Sequence, residues 1–115
     1  MSTELRIDTE KIRDIAILKM EGDVTSFAET DLMGAFDAGL AAGNKKFILD
    51  FTKVDYINSS GIAIIIQILS KAKKEEARVL CCGLTPHFQK VFEMVGLKKY
   101  TEILPGREEA LARLE

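Results

Sequence analysis

One stretch of the sequence, residues 54–66, decides the fold, and it reads VDYINSSGIAIII. A polar turn ends at Asn58, Ser59, Ser60 and Gly61, and an apolar run begins directly after it. Asparagine and serine cap helix N-termini, because their side-chain oxygens accept the N–H groups that lack partners in the first turn. The stretch therefore predicts that two hydroxyl groups lie at the N-terminus of a buried helix, where Gly61 permits close approach of a neighbour or a partner.

The apolar run after Gly61 is compatible with two kinds of secondary structure. Four isoleucines within residues 61–66 favour a strand by propensity. Longer-range spacing favours a helix, because two sets of side chains fall on opposite sides of a 3.6-residue period. The apolar set is Ile62, Ile65, Ile66, Leu69 and Ala72, extended by Ile64 and Ile68, and the polar set is Gln67, Ser70, Lys71 and Lys74. We therefore predict a helix from about Ser59 to Lys74.

The composition suits a single globular domain spanning residues 1–115, with 47% apolar residues. Sixteen basic and 18 acidic side chains are interspersed and give a net charge of −2. This pattern provides no basic surface for nucleic acid or for an anionic membrane. The longest uninterrupted apolar run, Ile62–Ile66, is far too short to span a bilayer.

The N-terminus and the cysteines predict a cytoplasmic protein. Residues 1–10 are polar, so no signal peptide is expected. Cys81 and Cys82 are adjacent, and on a strand their side chains would point to opposite faces of the sheet. A disulfide between them is therefore not expected, and neither is a metal site. We interpret them as two small buried hydrophobic residues in a reducing compartment.

Strands and helices alternate along the chain, which predicts an α/β fold with a mixed, mostly parallel sheet. We expect about five strands and about four helices, with an antiparallel hairpin at the N-terminus. The predicted strands are residues 5–9, 15–20, 45–51, 78–82 and 100–104, and the predicted helices are residues 27–42, 59–74, about 86–94 and 105–114. Gly34 and Gly39 weaken the first helix, so we expect both to pack closely against a neighbour.

Functional loops in such sheets gather beyond the C-terminal ends of the parallel strands. Those loops are predicted at residues 21–26, 52–60 and 83–86, with a turn at 11–14 closing the hairpin. Thr25 or Ser26 is placed to cap the first helix, and Thr85 followed by proline marks the start of the third. The Asn-Ser-Ser-Gly turn lies among these loops.

The residues give little support for catalysis, and no cofactor is expected. His87 is the single histidine, and a serine hydrolase would need it beside Ser59 or Ser60, which lack the Gly-x-Ser-x-Gly elbow. Asp50 and Asp55 flank one loop and are a weak signal for magnesium. No glycine-rich phosphate-binding loop is present in the sequence. We therefore predict that the chain is not an enzyme.

Two interpretations of Ser59 and Ser60 stay open on these grounds. Either the hydroxyls only cap the helix, or one of them is a phosphorylation site. Phosphate adds about −1.5 to −2 charges, and the positive end of the helix dipole tolerates it there. The modification would then act on a partner that docks over this surface and would leave the fold intact.

The segment DYINSSGIA, residues 55–63, resembles the Asp-Ser-Ser/Thr-Gly-Leu-Gly signature of bacterial anti-sigma factor antagonists, which belong to the STAS domain family. The resemblance extends to GDV at 22–24 with Ala28 and Glu29, to FILD at 47–50, and to residues 80–97. It implies a small sheet covered by helices. It also implies a binding module that acts as a substrate of a kinase.

The resemblance implies partner switching controlled by Ser59. The unmodified antagonist would bind an anti-sigma factor that is a serine kinase, and so release a sigma factor that activates transcription. The kinase would end the association by phosphorylating Ser59, and a metal-dependent serine phosphatase would restore it. The residues expected to contact the partner are Asn58, Ser59, Ser60, Gly61, Asp23, Thr25, Ile62 and Ile64.

Two positions differ from the usual pattern of that family. Asn58 stands where an aspartate is usual, and Thr25 lies near the usual place of another aspartate in a first loop that is one residue shorter. Both differences remove negative charge beside Ser59. Asn58 favours an alternative in which the chain is a constitutive STAS subunit of a scaffold or lipid-transport complex that phosphorylation does not regulate. A small serine hydrolase is the third hypothesis.

Overall fold

Five strands form one mixed sheet in the computed structural model, which describes residues 4–115. The strands are β1 (Arg6–Ile12), β2 (Ile15–Val24), β3 (Lys46–Ile57), β4 (Arg78–Cys82) and β5 (Ile103–Leu104). Their spatial order is the same as their order in the chain. β1 pairs with β2 in the antiparallel sense, and the other three pairs are parallel. The predicted α/β fold with an N-terminal antiparallel hairpin is confirmed.

Four α-helices, α1 (Glu29–Ala41), α2 (Ser59–Lys74), α3 (Pro86–Met94) and α4 (Arg107–Leu114), cover the sheet unequally. α1, α2 and α3 contribute to one large apolar cluster, in which Phe36, Ile65 and Phe92 are fully buried. α4 covers the opposite face, where Ala110 and Leu114 pack with apolar residues of β2, β3 and β4. No helix within residues 4–115 is both long enough and apolar enough to cross a membrane.

Helix α2 begins and ends at the predicted residues, Ser59 and Lys74. Its buried side is broad, because Ile62, Ile64, Ile65, Ile68 and Leu69 all belong to the large cluster. Ile66, expected on the apolar side, is exposed instead. Tertiary burial against three strands therefore stabilises a helix in a segment whose isoleucines have high strand propensity.

Strands β2 and β3 are longer than predicted, and this is the main correction to the sequence analysis. Residues 21–24 and 52–57, predicted as loops, pair with each other, with Val24 opposite Ile57. The register shifts between Lys19 and Glu21 and again between Gly22 and Asp23. Such bulges let polar residues occupy strand positions, so the polar composition of these segments did not indicate a strand. Because β3 continues to Ile57, past its last pair with β4 at Asp50, the Asn-Ser-Ser-Gly turn lies beyond the end of β4.

Smaller corrections concern segment ends and one glycine. β1 runs to Ile12, so the hairpin turn is shorter than predicted. Residues 26–28 form a 3-10 helix before α1, and residues 97–99 form another before the short β5. Gly39 does pack closely, since a Cβ there would meet the Phe47 ring at 2.5 Å. Gly34 has no atom within 4 Å of such a Cβ, so the expectation of close packing there is wrong.

The cysteines lie on opposite faces of β4, as predicted. Cys81 belongs to the large cluster and Cys82 to the cluster under α4, and both are free thiols. Burial raises the pKa of each thiol to about 12, so both stay protonated at neutral pH. They are therefore packing residues and not nucleophiles.

Candidate functional site

The N-terminus of α2 is capped by Asn58, which leaves the two serines exposed. Asn58 has an extended backbone, and its Oδ1 accepts the Gly61 N–H at 2.8 Å. Its carbonyl accepts the Ile62 N–H at 2.9 Å. Ser59 and Ser60 occupy the first two helical positions, and both are exposed. Because Asn58 is the N-cap, the hydroxyl of Ser59 is not needed to cap the N-terminus of the helix.

The paired ends of β2 and β3 fix the position of this helix start. The Asn58 N–H donates to the Val24 carbonyl at 3.2 Å. A Cβ on Gly61 would overlap that same carbonyl oxygen and would lie 2.9 Å from the Ile57 side chain. Gly61 is therefore required because the backbone of β2 lies against the first turn of α2. The close neighbour of Gly61 is the chain itself.

An apolar groove lies directly beside Ser59, and we call it the α2–α3 groove. It has a volume of about 330 Å³. Its lining residues are Tyr56, Ile57, Asn58, Ser59, Ile62, His87, Phe88, Val91 and Val95. The Tyr56 and Phe88 rings meet edge to face, with centroids 6.4 Å apart. Tyr56 and Val95 stay about half exposed, at 53% and 48%.

A second groove lies beside the 3-10 helix at residues 26–28. Its lining includes Asp23, Thr25 and Phe27. Thr25 is buried, and its Oγ1 accepts the Phe27 N–H at 3.3 Å, which caps the 3-10 helix. Phe27 is 91% exposed, the highest value among the large apolar side chains that the structure describes. An exposed aromatic residue held by a capped turn is typical of a binding surface.

The predicted contact residues separate into three groups. Asn58, Ser59 and Ile62 line the α2–α3 groove, Asp23 and Thr25 line the groove beside Phe27, and Ser60 is exposed on α2 and lines neither groove. Gly61 is buried against β2. Ile64 is 2% exposed and packs in the core, so its selection as a partner contact is wrong. A buried helical face cannot contact a partner without unfolding.

Sequence reasoning missed several apolar side chains that are exposed in the structure. Phe27, Tyr56 and Val95 lie in these two grooves, and Met94 is 83% exposed at the end of α3. Tyr56 was predicted to lie in a loop, and the other three lie in or beside segments predicted to be amphipathic helices, so the pattern did not indicate that they form an exposed apolar surface. Their exposure depends on how the helices and strands pack in the folded chain, which the local sequence does not specify.

Ser59 and His87 share one groove, but no carboxylate is among the residues that line it. Within residues 4–115 no cluster of three histidine, cysteine, aspartate or glutamate side chains could hold a metal ion. Asp50, one of the two aspartates weighed for magnesium, is buried and held by other groups. Its Oδ1 accepts both the Thr52 hydroxyl at 2.6 Å and the Thr52 N–H at 3.0 Å.

A family model described as the STAS domain matches residues 6–110. The chain belongs to the STAS domain family. It is 26% identical over 108 residues to BtrV of Bordetella bronchiseptica, a protein described as an anti-sigma factor antagonist. That match covers 94% of this chain and 93% of BtrV.

Solved STAS structures have the same fold. An anti-sigma factor antagonist from Mycobacterium paratuberculosis superposes with a TM-score of 0.84 at 19% identity, covering 96% of this chain and 93% of that one. SpoIIAA of Bacillus matches in two states. The unphosphorylated form gives a TM-score of 0.76 at 17% identity, covering 95% of this chain and 97% of SpoIIAA. The phosphorylated form gives 0.75 at 19% identity, covering 96% and 100%.

Proposed function

We propose that this chain is an anti-sigma factor antagonist whose binding is switched by phosphorylation of Ser59. In its unmodified form it binds an anti-sigma factor that is a serine kinase, and a sigma factor is released. Phosphate on Ser59 ends this association, and a serine phosphatase restores it. The chain acts in the cytoplasm as a binding module and kinase substrate. The observation that carries the proposal is that Ser59 is exposed at the N-terminus of α2 and lines the apolar α2–α3 groove.

The first turn of α2 can accept a phosphate without loss of the fold. Asn58 takes the N–H of Gly61, and the Ile62 N–H bonds to the Asn58 carbonyl. The N–H groups of Ser59 and Ser60 are then the closest donors to a phosphate on Ser59, at the positive end of the helix dipole. SpoIIAA carries its phosphate in the same fold, since its two forms match this chain almost equally.

Phosphate on Ser59 would change the surface that a partner covers. Ser59 belongs to the lining of the α2–α3 groove, together with Tyr56 and Val95. A partner that fills this groove must remove water from the serine, which costs little for a hydroxyl with a hydrogen-bond partner and much more for a phosphate. Binding would therefore weaken strongly while the free domain keeps its stability.

The neutral cap supports a second candidate, a constitutive STAS subunit of a scaffold or lipid-transport complex. Asn58 accepts its hydrogen bond through an uncharged amide oxygen. A kinase that requires a carboxylate next to its target serine would not recognise Asn58 in that position. The same surface would then bind a partner permanently.

Two measurements separate these candidates. Digestion with trypsin after Lys53 and Lys71 releases residues 54–71, which contain Ser59, Ser60 and Ser70. Mass spectrometry of this peptide from the native host should find phosphate on Ser59 in amounts that change with growth condition. Affinity for the host's anti-sigma serine kinase should fall at least about tenfold in Ser59→Asp, a loss of about 1.4 kcal/mol.

Ser70→Asp is the matched control, because Ser70 is an exposed serine in the same helix but outside both grooves. It should bind like the wild type, and both variants should keep the wild-type free energy of unfolding within about 0.5 kcal/mol. A bare Ser59 under all conditions, with equal binding by Ser59→Asp, would reject the switch. That pair of results would favour the constitutive subunit.

A further inference from the structure

The groove beside Phe27, which we call the Phe27 groove, combines three kinds of surface. Leu5 and Ala28 form an apolar floor, and each is less than 10% exposed. The exposed ring of Phe27 forms a wall. Carboxylates form the rim, from Glu4, Asp23 and Asp31. The groove has a volume of about 330 Å³, and no lysine or arginine is among its lining residues.

We infer that the Phe27 groove binds an arginine side chain of the kinase that the proposed function requires. An arginine carries an aliphatic stem that packs on an apolar floor and a charged head that stays at the rim. Its planar guanidinium stacks on an aromatic face and forms paired hydrogen bonds with carboxylates. The three surfaces of the groove match these three properties. The inference therefore rests on the proposed function and adds the chemistry of the partner.

A metal ion or a lysine fits this groove less well. Hard cations need several oxygen ligands around one point, and within residues 4–115 no group of three acidic, histidine or cysteine side chains, the rim carboxylates included, is placed to hold one. A lysine ammonium is a strongly hydrated point charge that stacks less well on an aromatic ring. Asp23 already has an interaction of its own, so we assign the main pairing role to Asp31 and Glu4.

The Phe27 groove lies near the start of α2. Thr25, which lines the groove, follows Val24, and the Val24 carbonyl accepts the N–H of Asn58. A protein partner with an arginine in this groove would therefore dock close to the start of α2. The acidic rim attracts such a partner, so added negative charge on Ser59 would not repel it at long range. The phosphate would act through its size and its cost of desolvation beside the apolar α2–α3 groove.

The test uses a small probe, so that it does not depend on the kinase. We would titrate the ¹⁵N-labelled protein with N-acetyl-arginine-N-methylamide and follow backbone amide shifts by NMR. We expect saturable shifts at Phe27, Ala28 and Asp31, with binding about threefold weaker for the lysine analogue. The citrulline analogue has nearly the same shape without the charge, and it should produce no saturable shift.

Two substitutions in the first turn of α1 make a matched pair. Asp31→Asn removes a rim charge, and Glu29→Gln removes a charge from the same turn outside the groove. Asp31→Asn should weaken the arginine probe about three- to tenfold, and Glu29→Gln should change it less than twofold. Equal shifts with citrulline, or equal binding by Asp31→Asn, would overturn the inference. Kinase binding is measured separately, so a failed switch at Ser59 would not be mistaken for a failed groove.

Discussion

Helices α2 and α4 begin at the sheet in opposite ways. α2 starts with an asparagine cap, two exposed serines and no charged residue in its first turn. α4 starts after Gly106, which provides no side-chain cap, and its first residue is Arg107. Arg107 donates to both oxygens of Glu10, at 3.0 and 3.1 Å, and reaches Asp50 at 3.5 Å. We call the start of α2 the open start, because its serines are exposed, and the start of α4 the closed start, because ion pairs within the chain occupy it.

The two helix starts suit different purposes: the ion-paired start of α4 stabilises the fold, and the exposed start of α2 is available to a partner. A cation at a helix N-terminus opposes the helix dipole, so Arg107 is favourable only because two carboxylates hold it there. Its groups are satisfied by the chain and offer little to a partner. The start of α2 is satisfied by Asn58, and its serine hydroxyls face solvent. Substitutions at the two starts should therefore have different consequences.

Gly61→Ala should break the open start and has the largest expected effect. Its methyl group would overlap the Val24 carbonyl oxygen, which is backbone and cannot rotate away. We expect the free energy of unfolding to fall by about 3 kcal/mol, as measured by urea denaturation. Gly34→Ala is the control, because open space surrounds that site, and it should raise stability by about 0.5–1 kcal/mol. Equal effects of the two substitutions would contradict the packing of α2 on β2.

Arg107→Met should break the closed start and leave the buried Asp50 without its cation. Burial raises the pKa of Asp50, but the Thr52 hydrogen bonds and Arg107 outweigh it, so the pKa lies below its ordinary value. A lowered folded-state pKa stabilises the protein above the unfolded-state value near 3.9, and this contribution is lost as pH falls through the folded-state pKa. We expect Arg107→Met to cost about 2 kcal/mol at pH 7.

The cost of Arg107→Met should shrink as pH falls below about 4, because protonated Asp50 no longer needs a cation. Urea denaturation at pH 7 and at about pH 3 measures this change. Arg113→Met is the matched control on the same helix, since its ion pair with Glu102 is exposed. It should cost less than about 0.5 kcal/mol at either pH. A pH-independent cost of Arg107→Met would show that Arg107 contributes by packing alone.

The sequence predicted the start of α2 at the observed residue, whereas it placed the start of α4 two residues early, at residue 105, and did not indicate the contacts of Arg107. Asn58 and Gly61 are a local signal, because a cap and a close approach depend on residues a few positions apart. The Arg107 cluster joins α4 to Glu10, which lies 97 residues earlier in the chain. No local pattern indicates such a contact. The paired ends of β2 and β3 were missed for the same reason, since pairing across a crossover overrides polar composition.

In the candidate site, too, the residues with a local sequence signal could be predicted, and those that depend on tertiary packing could not. The residue types of the turn singled out Ser59 and Ser60 together, and the resemblance to the STAS signature selected Ser59, whose role stays a prediction. Ile64 was selected wrongly, because the face of α2 that it occupies depends on how the helix lies on the sheet. Phe27 and Val95 were missed, because only the folded chain shows which apolar side chains stay exposed.

Asn58→Ala should weaken the open start without distorting it. The alanine removes the oxygen that accepts the Gly61 N–H at 2.8 Å and adds no clash. We expect a loss of about 1 kcal/mol in the free energy of unfolding, typical of a lost N-cap. Thr85→Ala offers an internal comparison, since Thr85 caps α3 through the Phe88 N–H at 3.2 Å. A much larger loss in Asn58→Ala would mean that the serine turn also depends on this cap.

Asn58→Asp should have the smallest effect on stability, and it tests directly whether the neutral cap affects phosphorylation of Ser59. The carboxylate keeps the capping geometry and adds a favourable charge at the helix dipole, so we expect a gain of about 0.5 kcal/mol at pH 7. The charge also lies beside Ser59, where it would oppose a phosphate electrostatically. Phosphorylation and dephosphorylation rates with the host's kinase and phosphatase measure that effect. Unchanged rates with unchanged binding would mean that the neutral cap does not tune the switch, and that the exposed hydroxyl and its grooves determine recognition.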